Sequence, residues 1–154
     1  MTPWPTTLAA ATRVGIDTSP FIYLIEAHPH YLSLVAPLFA HIDAGEISAV
    51  TSTITLAEVT VLPLRLQRND LRQQYVNFLL NSRNLDLVAI DIHVAQAAAE
   101  LRAQYGVRLP DALQLAAARA AGCDCFVTND RTLKQVTDLR VIVLADLLDL
   151  TQTQ

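Results

Sequence analysis

The chain of 154 residues contains only two cysteines, Cys123 and Cys125, and they flank a single residue. A bridge between them would close a tiny, strained ring, which excludes a disulfide scaffold. No second Cys or His pair lies at finger-like spacing, so zinc ligation by Cys-Asp-Cys has no support and packing in a strand is the expectation. Long hydrophobic runs are also missing. The apolar stretches fall well short of the roughly 18 to 20 residues that a membrane-spanning helix requires, and Asp or Arg interrupts most of them. The N-terminal MTPWPTTLAAATR lacks a basic region ahead of its Ala run and makes a poor secretory signal, so the expected address is cytoplasmic, with no membrane partner. Lysine is nearly absent: of eleven basic residues only Lys134 is not Arg. Against fifteen acidic residues this leaves a net charge of -4, which argues against a protein that coats nucleic acid nonspecifically, although not against a nuclease that gathers carboxylates in its site.

What the chain has in quantity is apolar material. At 52% hydrophobic and 17% charged it can build one core and is not disordered or of low complexity. The length suits a single domain, residues 1–154, with the core at about 13–148 and residues 1–12 as a loosely held N-terminal extension, like the final Thr-Gln-Thr-Gln. Periodicity alternates between strand and helix. RVGID (13–17) reads as a buried strand; Thr18 or Ser19 could cap a helix with Pro20 in its first turn. A helix from about Tyr31 to Asp43 is interrupted by Pro37, and a strand follows at Ile47 to Val50. Helical pattern continues from Thr51 to about Leu66, with a kink or early end at Pro63, and from Asp70 to Leu80. A strand at Leu85 to Ile90 precedes a helix capped by Asp91 and closed by Gly106. Pro110 and Asp111 open an Ala-rich helix that Gly122 ends. Strands at Cys123 to Thr128 and Arg140 to Leu144 flank a short helix, Arg131 to Val136. Strands separated by helices leave no room for hairpins, so the expected fold is α/β: a three-layer α/β/α sandwich with a central, mainly parallel sheet.

Open parallel sheets collect chemistry at the carboxyl ends of their strands. Asp17 ends the first strand and Asp130 follows the fourth. Glu58 lies about two turns into the helix after the second strand, and Asp111 in the first turn of the Ala-rich helix. Each has a structural alternative. Asp17 suits a helix cap, Glu58 stands at capping-box spacing from Thr55, Asp111 at a favourable helix dipole, and Asp130 in a turn beside Arg131. Taken together, four acids at equivalent ends of alternating elements point to one cleft. Two carboxylates about 4 Å apart repel by roughly 4 kcal/mol at an effective dielectric near 20, so such a cluster calls for a counter-ion. Oxygen donors without His or Cys favour Mg²⁺ or Mn²⁺, which suits phosphodiester hydrolysis.

The stretches VGIDTSPFIYLIE, ITLAEV, RLPDALQLAAARAAGCDCFVTNDRTLK and VIVLADLL resemble the PIN domain, in particular the VapC toxins of bacterial type II toxin–antitoxin systems. The third stretch is the most specific. Carried over position by position, the resemblance implies that Asp17, Glu58, Asp111 and Asp130 are the catalytic, metal-binding acids. Asp17, Asp111 and Asp130 would hold the ion, and Glu58 would bind it or bridge through water. Thr128 would be the supporting hydroxyl, and Asn129 occupies a variable position. It implies a Mg²⁺- or Mn²⁺-dependent endoribonuclease, usually a homodimer, acting on RNA and held inactive by a small antitoxin whose C-terminal segment covers the cleft. The dozen residues before the first strand and Pro20 depart from the family pattern. A housekeeping PIN nuclease, or a PIN-like binding module without catalysis, is the alternative.

Other residues carry weaker signals. Arg65, Arg68 and Arg72 would share one helix face if Pro63 left the helix intact, gripping RNA or antitoxin or simply facing solvent. Arg108 and Arg131 stand beside two of the acids and could meet a substrate phosphate or neutralise a carboxylate. Phe21, Tyr23, Tyr31 and Phe39 read as core or dimer interface, the four histidines have no metal-ligand spacing with the acids, and Trp4 has no place. Neither a dehalogenase-like phosphatase, which needs a second Asp two residues after Asp17, nor a receiver domain, which needs a Lys ending a late strand, fits.

Overall fold

A computed structural model describes residues 2–152. Five strands form one all-parallel sheet: β1 (Arg13–Ile16), β2 (Ser48–Ser52), β3 (Leu85–Val88), β4 (Cys125–Thr128) and β5 (Arg140–Val143), in the order β3-β2-β1-β4-β5. Val14 stands opposite Ala49 on one side and Cys125 on the other, so β1 is central and almost wholly buried. The chain moves outward from β1 through β2 to β3 and then crosses back to β4. The sheet order therefore reverses beside β1, the position where a parallel sheet opens a crevice at its carboxyl edge.

Helices cover both faces, as buried parallel strands require. On one face Val14 and Ile16 pack with Phe21 of α2 (Thr18–Ile25), Val35, Leu38 and Phe39 of α3 (Leu32–Asp43) and Val59 of α4 (Thr53–Arg65). Tyr75 and Leu79 of α5 (Asn69–Asn81) and Leu144 and Leu147 of α8 (Leu144–Gln152) complete that core. On the other face Val50 and Phe126 meet α6 (Ile92–Tyr105) and α7 (Leu109–Ala120). Asp91 caps α6 by accepting from the Val94 N–H at 2.9 Å, and Gly106 ends it in the left-handed region at φ +70°. The small side chains of α7 let it lie close on the sheet. A Cβ at Gly15 would stand 2.6 Å from the Ala118 Cβ and 2.9 Å from a Phe126 ring carbon, closer than packed atoms approach.

Several expectations need correction. The extension is not loosely held over its described part: α1 (Trp4–Thr7) buries Trp4 at 1% exposure, and its indole N–H donates to the Leu34 carbonyl at 2.7 Å. Burying such a side chain contributes on the order of 3 kcal/mol, enough to hold a short segment down. Thr151 and Gln152 finish α8, whereas residues 153–154 and Met1 lie outside the described residues. Pro37 sits inside α3 without ending it, and Pro63 lies inside α4, two residues before its end. Gln67 then turns at φ +54°, and Arg68 precedes α5. Arg65 thus ends α4, Arg68 lies in the connection and Arg72 belongs to α5, so the three share no single helix face. Arg68 pairs with Asp70 at 2.9 Å, and Arg72 bonds Asn69 at 3.4 Å. No helix of the described residues is long and apolar enough to cross a membrane.

Candidate active site

The crevice at the carboxyl edge is a cleft of about 270 Å³ lined by Asp17, Glu58, Asp111 and Asp130, together with Thr18, Tyr23, Arg108, Thr128 and Asn129 among others. Asp17 leaves β1 in an extended conformation, ψ 175°, and is itself the cap of α2, accepting from the Thr18 N–H at 2.8 Å. Capping thus falls to Asp17 rather than to Thr18 or Ser19. Its other oxygen accepts from the buried Thr128 hydroxyl at 2.7 Å, which in turn accepts from the Asp130 N–H at 3.1 Å. One hydroxyl therefore ties the carboxylate after β1 to the backbone after β4.

Asp130 faces the same cleft while its Oδ1 accepts from the Thr132 N–H at 2.9 Å and the Thr132 hydroxyl at 2.7 Å, fixing the turn into a short 3₁₀ segment. The turn role and the cleft position thus coexist. Asp111 comes from the first turn of α7, and Arg108, which precedes that helix, lies on the rim. Glu58 projects from α4, whose cap is Ser52, accepting from the Ile54 N–H at 3.1 Å. Thr55 is consequently inside the helix, and the capping-box reading of Glu58 falls. The Glu58 carboxylate instead accepts from the Thr18 hydroxyl at 2.8 Å.

The electrostatics of the cleft are unfavourable by themselves. Burial pushes the Asp17 carboxyl up to about 6, against the opposing hydrogen bonds from Thr128 and Thr18, and the charges of Asp111 and Glu58 add to the rise. Asp111 is also raised, first by burial, with Arg108 pulling it down and Asp130 and Glu58 pushing it up. Among the described residues none of the four acids belongs to an ion pair. Arg131, a candidate to neutralise Asp130, turns away to Asp146 and Asp149 at 3.1 and 3.2 Å. The carboxylates line the cleft without drawing together: among the described residues no three acidic, His or Cys side chains close into a ligand cluster. Their donors are all oxygen, and carboxylates around one cleft without an ion-pair partner among the described residues are a set that could hold a hard divalent cation.

Sequence reasoning missed a buried side chain that bonds to the lining of this cleft. Gln114, 3% exposed on α7, donates to Thr55 and Thr18 at 2.6 and 3.2 Å and accepts from Ser52 at 2.5 Å. Its signal was available: one polar residue, one turn after Asp111, inside an otherwise apolar LQLAAA. Asn129 occupies a position that the resemblance leaves variable, yet it accepts from the Ala145 N–H at 2.9 Å and donates to the Tyr23 hydroxyl at 3.0 Å. Tyr23 therefore reaches the cleft, stacked on Tyr31 with ring centroids 4.8 Å apart, while Phe21 and Phe39 stay in the core.

The model of one protein family, described as the PIN domain, matches residues 14–139. The chain belongs to the PIN-domain family. Solved structures agree with this PIN domain in fold. VapBC2 from Rickettsia felis, bound to a promoter DNA fragment, aligns at TM-score 0.65 and 19% identity, over 86% of this chain and 98% of that one. A toxin–antitoxin complex from Klebsiella pneumoniae aligns at 0.63 and 20%, over 86% and 98%. VapC20 from Mycobacterium tuberculosis, a toxin that cleaves the sarcin–ricin loop, aligns at 0.64 and 17%, over 84% and 99%. No curated protein matches the chain in sequence.

Proposed function

We propose that this PIN domain is a Mg²⁺- or Mn²⁺-dependent endoribonuclease acting in the cytoplasm as the toxin of a toxin–antitoxin pair. The observation that carries the reading is the Asp17 carboxylate: half-buried beside the sheet's reversal point, raised to about 6, lining the cleft with three further acids and paired with no cationic side chain among the described residues. A protein maintains such repulsion where a ligand relieves it. Asp17, Asp111 and Asp130 are the residues to hold the ion, with Glu58 binding directly or through water. When bound, a divalent ion polarises a phosphate oxygen and lowers the pKa of coordinated water.

The chain's own groups do the rest. The Thr18 N–H and the Thr128 hydroxyl each engage one oxygen of Asp17 and so set the plane of its carboxylate. Thr18 likewise orients Glu58, whose second oxygen takes no partner from the described residues. Arg108, exposed on the rim, supplies a planar cation suited to a phosphodiester. The antitoxin partner is supported by the toxin–antitoxin complexes among the similar structures, and a homodimer and an RNA substrate complete the reading. Cleavage of total cellular RNA by the purified chain with Mg²⁺, Mn²⁺ or EDTA, beside Asp17→Asn, tests it. Discrete fragments that need metal and vanish in the variant support it, and intact RNA from the folded, antitoxin-free chain overturns it.

A further inference from the structure

Beneath the four acids lies a buried chain of side-chain hydrogen bonds whose proton directions follow from its two ends. It starts at a backbone acceptor: the Thr51 hydroxyl donates to the Ile16 carbonyl at 2.8 Å, one residue before Asp17. Thr51 has then spent its only proton, so the 2.8 Å contact between Thr51 and Thr55 must be a donation from Thr55. Thr55 is left with lone pairs for Gln114, which must present its amide nitrogen, at 2.6 Å. The same nitrogen reaches Thr18 at 3.2 Å, and Thr18 is thereby free to give its proton to Glu58 at 2.8 Å. At the far side Ser52, receiving the Ile54 N–H, donates to the Gln114 carbonyl oxygen at 2.5 Å. Amide orientation is normally a matter of assignment, but here Thr55 and Thr18, whose protons go to Thr51 and Glu58, both require the nitrogen on their side, and the Ser52 hydroxyl is compatible with the oxygen on its own.

Gln114 is also placed to join three elements. It lies one turn beyond Asp111 on α7, Thr18 opens the helix capped by Asp17, and Thr55 lies one turn before Glu58 on α4. A Leu at position 114 would leave the buried Thr55 hydroxyl and the half-buried Thr18 hydroxyl each with a partner lost.

We infer that Gln114 is a positioning residue of the active site, which through Thr18 holds the Glu58 carboxylate toward the cleft and keeps the Thr18 hydroxyl polarised as its donor. This rests on the functional reading given above, because it assigns Glu58 a part in metal binding and cleavage. Thr18→Val removes the hydroxyl at nearly constant shape, Gln114→Met removes the amide at nearly constant volume, and Thr18→Ser keeps the donor.

The test measures Mn²⁺ affinity of the full-length chain by water-proton relaxation, cleavage rates on RNA, and thermal unfolding. A hydrogen bond to a carboxylate corresponds to about tenfold or more in an equilibrium, so Thr18→Val and Gln114→Met each weaken Mn²⁺ binding and slow cleavage about tenfold, and Thr18→Ser restores both. The double variant is no worse than the weaker single, and neither change adds to Glu58→Gln, because all act through one carboxylate. Wild-type affinity and turnover in folded Thr18→Val and Gln114→Met, with only the unfolding temperature lowered, would overturn the inference while leaving the functional reading intact. Unimpaired cleavage by Glu58→Gln would instead sink the functional role of Glu58, and the inference with it.

Discussion

Two aspartates at opposite ends of the sheet have nearly the same local chemistry and opposite fates. Asp124 stands just before β4, and its carboxylate accepts from the Thr12 N–H at 2.6 Å, the Thr12 hydroxyl at 3.0 Å and the Arg13 N–H at 3.0 Å. Those bonds hold its carboxyl below the usual range. Asp17 stands just after β1 and also accepts from a backbone N–H and a hydroxyl, yet its carboxyl rises to about 6. Hydrogen-bond donors, three on Asp124 and two on Asp17, lower the carboxyl in both cases and do not explain the opposite signs. Asp124 is exposed to water, whereas Asp17 is half-buried with two further acids as neighbours, and desolvation outweighs both donors. The amino end of the sheet uses its carboxylate to tie strands together, and the carboxyl end keeps one in a state that folding by itself disfavours.

The largest effect that would break this contrast is on activity. Asp17→Asn or Asp130→Asn should lower metal-dependent RNA cleavage by at least about a hundredfold, whereas Asp124→Asn should leave it within about a factor of two. Equal losses in the two sets would mean that the ends of the sheet do not differ in role.

Stability should run the other way. In EDTA at pH 8, Asp17→Asn is expected to raise the unfolding free energy by about 2 kcal/mol, since a group raised from 3.8 to about 6 is destabilising when ionised. The wild type should accordingly lose stability relative to Asp17→Asn as pH rises from about 4 through about 6, and this titration difference should vanish only below about pH 3, where Asp17 is protonated in both folded and unfolded chains. Urea unfolding of both proteins across that range measures it. Asp124 titrates with the opposite sign, its contribution being lost only as pH falls through its lowered pKa, so the two effects separate on the pH axis.

A smaller shift sharpens the comparison further. Mg²⁺ at about ten times its dissociation constant should stabilise the wild type by about 1.4 kcal/mol and Asp17→Asn by much less, read as a change in unfolding temperature. Asp124→Asn, which loses charge-assisted bonds screened by solvent, should cost about 1 kcal/mol and keep the full response to Mg²⁺.

The alternation of elements was legible because strands 13–16 and 125–128 are short apolar runs bounded by Asp, Asn and Gly, and because Asp91 and Gly106 punctuate α6 from both sides. The family model, residues 14–139, covers three of the four stretches that carry the resemblance and ends before VIVLADLL at 141–148. The acids could be placed at the strand ends by order alone, and all four line the cleft. What sequence could not supply was direction. Thr55 stands three residues before Glu58 and reads as a cap, but the helix begins earlier, at Ser52, and this moves the Glu58 carboxylate onto Thr18. Arg131 is adjacent to Asp130 in the chain and turned from it in space, since α8 brings Asp146 and Asp149 within reach. Trp4 lacks any neighbouring pattern, because its partners are thirty residues away on α3. Each miss concerns a side chain whose partner is remote in sequence.

Gly15 and Ala118 act as a spacer. Asp17 is carried two residues beyond Gly15 on β1 and Asp111 two turns before Ala118 on α7, so the distance between this helix and this strand sets how far apart the two carboxylates stand. With the Ala118 methyl only 2.6 Å from where a Cβ at position 15 would lie, no side chain fits between them at this distance. One added methyl at position 15 would wedge α7 outward and widen the jaws of the cleft. The aperture of the site is thus gauged by an atom that the sequence leaves out.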